Sequence, residues 1–239
     1  MCFCALDLPR ADEAELIDHA EPDRAVLAEN LADLRWINRR LGGIQLTNQV
    51  LEHWLGGLPA GTAVQVLDLA TGSADLPEAM LTWARERGLR MRLVATDVSE
   101  RILRLAHYQA SSAMEFAVAD AGCLPFASQS FDLVTCSLVL HHLNPDAAVV
   151  MLCEMSRIAR RGVVVNDLTR SRLAYWGAEL LCRQLSTNPL TRHDGPLSVR
   201  RAYTRDEITD LLARAGLAPS VTFSFFGWRL AVCAADRSF

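Results

Sequence analysis

The stretch Val66-Leu67-Asp68-Leu69-Ala70-Thr71-Gly72-Ser73-Ala74-Asp75-Leu76-Pro77 decides how this chain is read. Val64–Leu69 is a short apolar run of strand length, with an acid, Asp68, inside its end. The next five residues, Ala70, Thr71, Gly72, Ser73 and Ala74, are all small, and a helical pattern starts near residue 75. Small residues let a backbone come close to a ligand, and the first turn of a helix offers free N–H groups to a carboxylate. Strand, tight turn and helix in that order open an α/β sheet.

Outward from this unit the alternation continues. Arg92–Thr96 reads as a second strand, followed by a helix from Ser99 to about residue 109; Met114–Val118 reads as a third strand. Phe131–Cys136 is a fourth, a helix lies near 145–159, and Gly162–Val165 is a fifth. Asp206–Ala215 reads as a helix closing at Gly216, and Val221–Phe226 with Arg229–Ala234 as a hairpin around Gly227-Trp228. The expectation is an α/β fold: a doubly wound, mostly parallel sheet with helices on both faces. Upstream, Leu27, Leu31, Leu34, Ile37 and Leu41 recur at helical spacing up to Gly42-Gly43, and a second short helix is expected over 46–56. Residues 1–60 therefore read as an N-terminal helical cap segment and 61–239 as the sheet domain. Residues 168–205 break the alternation. They carry seven arginines and two acids, and 168–200 reads as a helical insertion at the carboxyl edge of the sheet, where open α/β sheets bind ligands.

Composition excludes several chemistries. The 239 residues are 51% apolar and 22% charged, which marks a folded globular chain. Acids number 28 against 24 bases, for a net charge of −4, and every base is arginine. Without lysine there is no Schiff base, no pyridoxal phosphate anchor and no P-loop lysine. An acidic total also argues against nucleic acid as a partner. The seven cysteines are odd in number and scattered, so reduced and mostly buried thiols are expected, and the Cys2–Cys4 pair has no second pair to complete a zinc site. No signal peptide is visible and no apolar run is long enough to span a membrane, so a soluble, cytoplasmic protein is expected.

Two more acids stand where a nucleoside could use them. Asp97 ends the second strand, 25 residues after Gly72, and Asp120-Ala121 follows the third. A carboxylate at the first place can accept both hydroxyls of a ribose, and one at the second can meet an adenine amino group. In order and spacing these motifs, with Phe131–Leu143 (FDLVTCSLVLHHL), resemble the class I S-adenosylmethionine-dependent methyltransferases. The closest flavour is the small-molecule type that includes the ubiquinone/menaquinone biosynthesis methyltransferases. The resemblance covers about residues 60–165 well and 200–235 more loosely. It implies a seven-stranded Rossmann-like methyltransferase sheet with an antiparallel last strand, and S-adenosylmethionine as cofactor, with S-adenosylhomocysteine as product. It also implies a loop under the methionine moiety at Ala70, Thr71, Gly72 and Ser73 beside Asp68, ribose binding by Asp97, and adenine contacts from Val98, Asp120 and Ala121. Ser137 and Leu138 would line the methyl end. Where the family pattern has D/E-x-G-x-G-x-G, this chain has Ala70 and Ala74 in place of the outer glycines.

The chemistry then needs alignment and, for a protonated acceptor, a base. His141-His142 follows the fourth strand and Asp167 ends the fifth. Neighbouring strands lie about 4.8 Å apart, so a His–Asp pair can form there. In an extended loop only one of two consecutive histidines would face the site, and packing or capping is the plain alternative for both. No third ligand is visible beside them, so no metal is expected. His193 is a base delivered by a lid or a member of an Asp-Gly turn. Tyr175 and Trp176 read as pocket wall or ordinary core. The acidic segment 11–34 and the basic insertion are two halves of a cap, or else Arg192, Arg200 and Arg201 meet an anionic or carrier-bound substrate; a solvated surface is the third reading. The partner expected is a small molecule, aromatic or polyketide-like, methylated on oxygen or carbon. The rivals are a cofactor-binding protein without methyl transfer, a nucleic-acid or protein methyltransferase, an enzyme using the same cofactor for ring closure or decarboxylation, and a nicotinamide dehydrogenase.

Overall fold

The computed structural model describes residues 8–19, 22–110 and 114–236. The Cys2–Cys4 pair lies outside them. Helices α1 (Leu16–His19), α2 (Arg24–Arg40) and α3 (Gly43–Leu55) come first. Gly42, with φ of +89°, turns the chain between α2 and α3, and a Cβ there would run into the Phe225 ring. There follow β1 (Ala63–Leu69), α4 (Asp75–Glu86), β2 (Arg90–Asp97), α5 (Glu100–Gln109), β3 (Met114–Val118) and β4 (Phe131–Ser137). A 3₁₀ turn (Leu140–His142), α6 (Pro145–Ile158), β5 (Ala159–Leu168), α7 (Arg172–Leu185), α8 (Pro189–Arg201), α9 (Arg205–Arg214), β6 (Leu217–Phe225) and β7 (Arg229–Asp236) complete it.

The seven strands form one sheet in the order β3-β2-β1-β4-β5-β7-β6. β1 to β5 are mutually parallel, and β7 is antiparallel to both β5 and β6. Successive side chains point to opposite faces of the sheet, and both faces are buried along the central strands. Val64 and Val66 pack toward α3 and α4, with Leu51, Leu55, Met80 and Trp83. Leu67 and Leu69 pack toward α6 and α9, with Leu152, Met155, Ile208 and Leu211. A sheet covered on both faces explains why the central strands read as unbroken apolar runs. The register steps between Pro219 and Val221 of β6, at the sheet's edge, where a residue lacking an N–H is tolerated.

Helices α7 and α8 fill the stretch that broke the alternation, and α8 packs on α1 and α2. The acidic and basic segments do meet, chiefly through hydrogen bonds. Asp33 accepts from Ser186 (2.5 Å) and Thr191 (2.6 Å), and Asp194 accepts from the backbone N–H groups of Leu16 and Ile17. Among the described residues no helix is long and apolar enough to cross a membrane. Of the described cysteines, Cys136, Cys182 and Cys233 are buried, Cys123 and Cys153 are exposed, and none is disulfide-bonded.

Candidate active site

Because β1, β2, β4 and β5 run parallel, the turns that follow them share one edge of the sheet. The turn after β1 is left-handed at every second residue: Ala70, Gly72 and Ala74 have φ of 50°, 55° and 59°. Only glycine takes this backbone without a Cβ penalty, so the two alanines hold a shape that glycine favours. The turn is tied to its neighbours. Thr71 N–H donates to the Thr96 carbonyl (2.8 Å), and Gly72 N–H donates to Asp97 Oδ2 (3.1 Å). Asp97 Oδ1 accepts from Ser99 N–H (2.9 Å), at the start of α5. Each carboxylate oxygen has two lone pairs, so both keep capacity for a further donor. Burial pushes the Asp97 pKa up, while its backbone hydrogen bonds and His142 pull it down.

Asp68 is fully buried and accepts from the Thr135 hydroxyl (2.6 Å). Burial raises its pKa to about 7; the Thr135 bond opposes the rise and the carboxylates of Asp75 and Asp97 add to it. Val98 is 72% exposed beside Asp97, an apolar side chain left bare at the rim. Asp120 is exposed, and its Oδ1 accepts from Gly122 N–H (2.8 Å), closing a small turn next to Ala121. Ser137 and Leu138 leave β4 half-buried; Leu138 has φ of 54° and donates its N–H to the Asn166 carbonyl (3.0 Å).

His141 and Asp167 form the expected pair. His141 Nδ1 lies 2.6 Å from Asp167 Oδ1, and its backbone N–H donates to Oδ2 (3.2 Å). Both residues are buried, and the imidazole holds the Asp167 carboxyl below its usual range against the opposing pull of burial. The expectation that the two histidine side chains diverge from an extended loop is corrected. Residues 140–142 are a 3₁₀ turn and not an extended loop, so the two rings lie 4.4 Å apart at 34°. Both present Nε2 to Glu15, at 3.5 Å (His141 to Oε1) and 3.6 Å (His142 to Oε2). His142 Nδ1 is 2.9 Å from Asp18. Burial raises the Glu15 pKa to about 7, with His142 opposing the rise. The reading that the pair lacks a third ligand-capable side chain therefore does not hold.

Arg201 is buried and donates to the carbonyls of Glu13, His141 and His142, so it holds the cap down and is not an exposed anion contact. Arg192 is exposed and Arg200 half-buried. His193 sits within α8, not in an Asp-Gly turn, with Nδ1 2.8 Å from Asp194 Oδ1. Trp176 is 66% exposed, which removes it from the core, and Tyr175 is half-buried against it.

Residues 66–162 match a family model described as a methyltransferase domain. Over 228 residues the chain is 27% identical to a demethylmenaquinone methyltransferase of Thermobifida fusca, spanning 89% of each protein. Over 124 residues it is 32% identical to a ubiquinone/menaquinone biosynthesis C-methyltransferase UbiE of Bordetella parapertussis, spanning 50% of this chain and 46% of that one. This chain is a class I S-adenosylmethionine-dependent methyltransferase. Its fold is also that of a magnesium protoporphyrin IX methyltransferase (ChlM) from Synechocystis PCC 6803, solved with bound SAH. The TM-score is 0.59 at 19% identity, over 83% of this chain and 85% of that one.

Several residues at the methyltransferase's sheet edge were not legible in its sequence. Arg35 of α2 donates to the Ser73 carbonyl (2.7 Å), and its Nε is buried without a hydrogen-bond partner. Arg229, fully buried, donates to Asn166 (2.8 Å) and Asn38 (2.7 Å), and burial lowers its pKa to about 10. Glu15 and Asp18 stood in an acidic run with nothing to separate them from their neighbours. Their partners lie more than a hundred residues away, and no local signal marks them.

Proposed function

We propose that this methyltransferase moves a methyl group from S-adenosylmethionine to an oxygen or carbon atom of a small, aromatic or polyketide-like acceptor. One observation carries the reading: Asp97, at the end of β2, is hydrogen-bonded to Gly72 in the left-handed turn after β1. That bond sets a ribose-binding carboxylate beside a loop the cofactor's methionine end can approach. In this reading Asp97 accepts the ribose hydroxyls, and Ala70, Thr71, Gly72 and Ser73 pass under the methionine moiety near Asp68. Val98, Asp120 and Ala121 flank the adenine, and Ser137 and Leu138 border the methyl group.

Methyl transfer from a sulfonium is an in-line displacement, and holding the acceptor about 3–3.5 Å from the methyl carbon supplies roughly 7–11 kcal/mol of the barrier. Charge is neutralised as the methyl moves, so excluding water helps. Residues 8–19 and α8, bonded to each other at this edge, serve as the cover. An acceptor hydroxyl or acidic carbon loses its proton to the cluster of His141, His142 and Glu15, with Asp167 fixing the inner ring. His193 on α8 is the second candidate for that step. The names of the similar quinone-pathway enzymes favour an aromatic acceptor. Arg192 and Arg200 suit an anionic or carrier-bound one.

The test is calorimetry with S-adenosylhomocysteine. Asp97→Ala should weaken binding at least tenfold, since hydrogen bonds to a charged acceptor contribute about 1.5–3 kcal/mol. Unchanged affinity in a folded variant would remove the site assignment.

A further inference from the structure

We infer that Glu15, His141 and His142 form a binding site for a divalent transition-metal ion of the zinc class. The inference goes beyond the methyl-transfer reading and does not require it; with the ion bound, the Nε2 lone pairs are engaged, and proton acceptance falls to His193, the second candidate for that step. Four observations converge. Two imidazoles and one carboxylate present ligand atoms within 4.8 Å of one another. The Nε2–oxygen separations of 3.5 and 3.6 Å are too long for good hydrogen bonds. They are close to the edge of about 3.3 Å of a tetrahedron built from metal–ligand bonds of about 2.0–2.1 Å.

The orientation of the rings is the third observation. Each Nδ1 is held by its own carboxylate, Asp167 at 2.6 Å and Asp18 at 2.9 Å. A ring that donates from Nδ1 presents a lone pair at Nε2, and both Nε2 atoms face Glu15. Metal-bound imidazoles are held by carboxylates in this way. The fourth is Glu15 itself. Its side chain is 4% exposed, and Oε1 has no hydrogen-bond partner, a costly arrangement for a buried acceptor.

The surrounding charge favours a cation. Asp18 and Asp194 stand near Glu15, Asp167 backs His141, and Arg201 faces Glu15 at 3.8 Å with its donors spent on backbone carbonyls. Imidazole and carboxylate without thiolate suit zinc or cobalt, whereas magnesium and calcium take oxygen ligands. Three protein ligands leave a fourth position open. Bound there, the ion would tie the segment before α1 to the turn after β4.

The test uses the full-length protein, stripped with a chelator, dialysed, and titrated with Co²⁺, Zn²⁺ and Mg²⁺ by calorimetry, with Co²⁺ also followed by visible absorption. We expect one equivalent of Co²⁺ with the bands of a low-coordinate nitrogen/oxygen site, displacement by Zn²⁺, and no saturable response to Mg²⁺. Glu15→Gln and His142→Ala should each weaken Co²⁺ binding at least tenfold. Asp18→Asn, at a partly exposed position, should weaken it about tenfold and keeps the test open should the buried variants not fold. Failure to bind an equivalent of Co²⁺ would overturn the site. So would binding that all three substitutions leave unmoved, or thiolate charge-transfer bands abolished by cysteine alkylation. Affinity for S-adenosylhomocysteine, measured on the same preparations, reports the methyltransferase reading separately.

Discussion

At Ala70 and Ala74 two similar residues sit in the same strained backbone with different surroundings. An alanine held left-handed costs about 1–2 kcal/mol, and glycine gives back about 0.5–1 kcal/mol in chain entropy. Ala70 is half-buried, whereas the Ala74 methyl is fully buried against the β1–α4 core. Losing a buried methyl costs about 0.8 kcal/mol. Ala70→Gly should therefore stabilise the fold by about 0.5–1 kcal/mol in urea titration, and Ala74→Gly should be close to neutral. Equal gains at both positions would show that packing at 74 does not offset the strain. Asp68 makes a second case. Its folded pKa, about 7, stands above the ordinary value of 3.8, so between about pH 4 and 7 the folded state holds one proton more than the unfolded. Stability from this group is present at low pH and is lost as pH rises through 7. Asp68→Asn keeps an acceptor for Thr135 and removes the titration. Its melting temperature relative to the parent should rise by several degrees between pH 5 and pH 8; a pH-independent difference would place the titration elsewhere.

Among the elements, α2 does more than its periodicity suggested. Leu27 and Leu31 bury against α5, as their spacing foretold. The same helix also carries Arg35 to the Ser73 carbonyl and Asn38 to Arg229. Arg35 thus places a cation, with one donor unused, over the loop assigned to the methionine end of the cofactor. Arg35→Ala should weaken S-adenosylhomocysteine affinity about tenfold while thermal stability falls little, and the loss should be smaller for an analogue lacking the carboxylate. Equal losses for both ligands would make Arg35 a loop support only. The 3₁₀ turn at 140–142 shows the limit of reading elements from pattern. A His-His pair after a strand looks the same in sequence whether extended or coiled, and only the coiled form stacks the rings and turns them the same way.

For the molecule as a whole, what was legible followed from local chemistry. The alternation of apolar runs and small-residue turns was enough for a doubly wound, mostly parallel sheet covered on both faces and closed by a hairpin, while the count of seven strands came from the resemblance and the strand order from the structure. The same chemistry set the His141-His142 pair beside Asp167, because neighbouring parallel strands bring their following turns together; the bond from Gly72 to Asp97 was not anticipated. What was not legible depends on distant pairs. The charge asymmetry pointed to contact between the first helices and α8, yet it could not say that serine, threonine and backbone groups would satisfy the acids in place of arginine. Nor could it select Glu15 from eight acids between residues 11 and 33.

The segment ahead of α1 has a consequence for biosynthesis. Ala11 N–H donates to the Arg200 carbonyl, and Arg10 reaches the carbonyls of His141, Leu143 and Arg201 while its guanidinium lies over the Tyr203 ring. Arg10 and Ala11 therefore have no seat until the chain has been made through about residue 201. The carboxyl edge of the sheet is covered late in synthesis, by a segment made well before it, and a chain truncated before α8 would leave that segment without its berth.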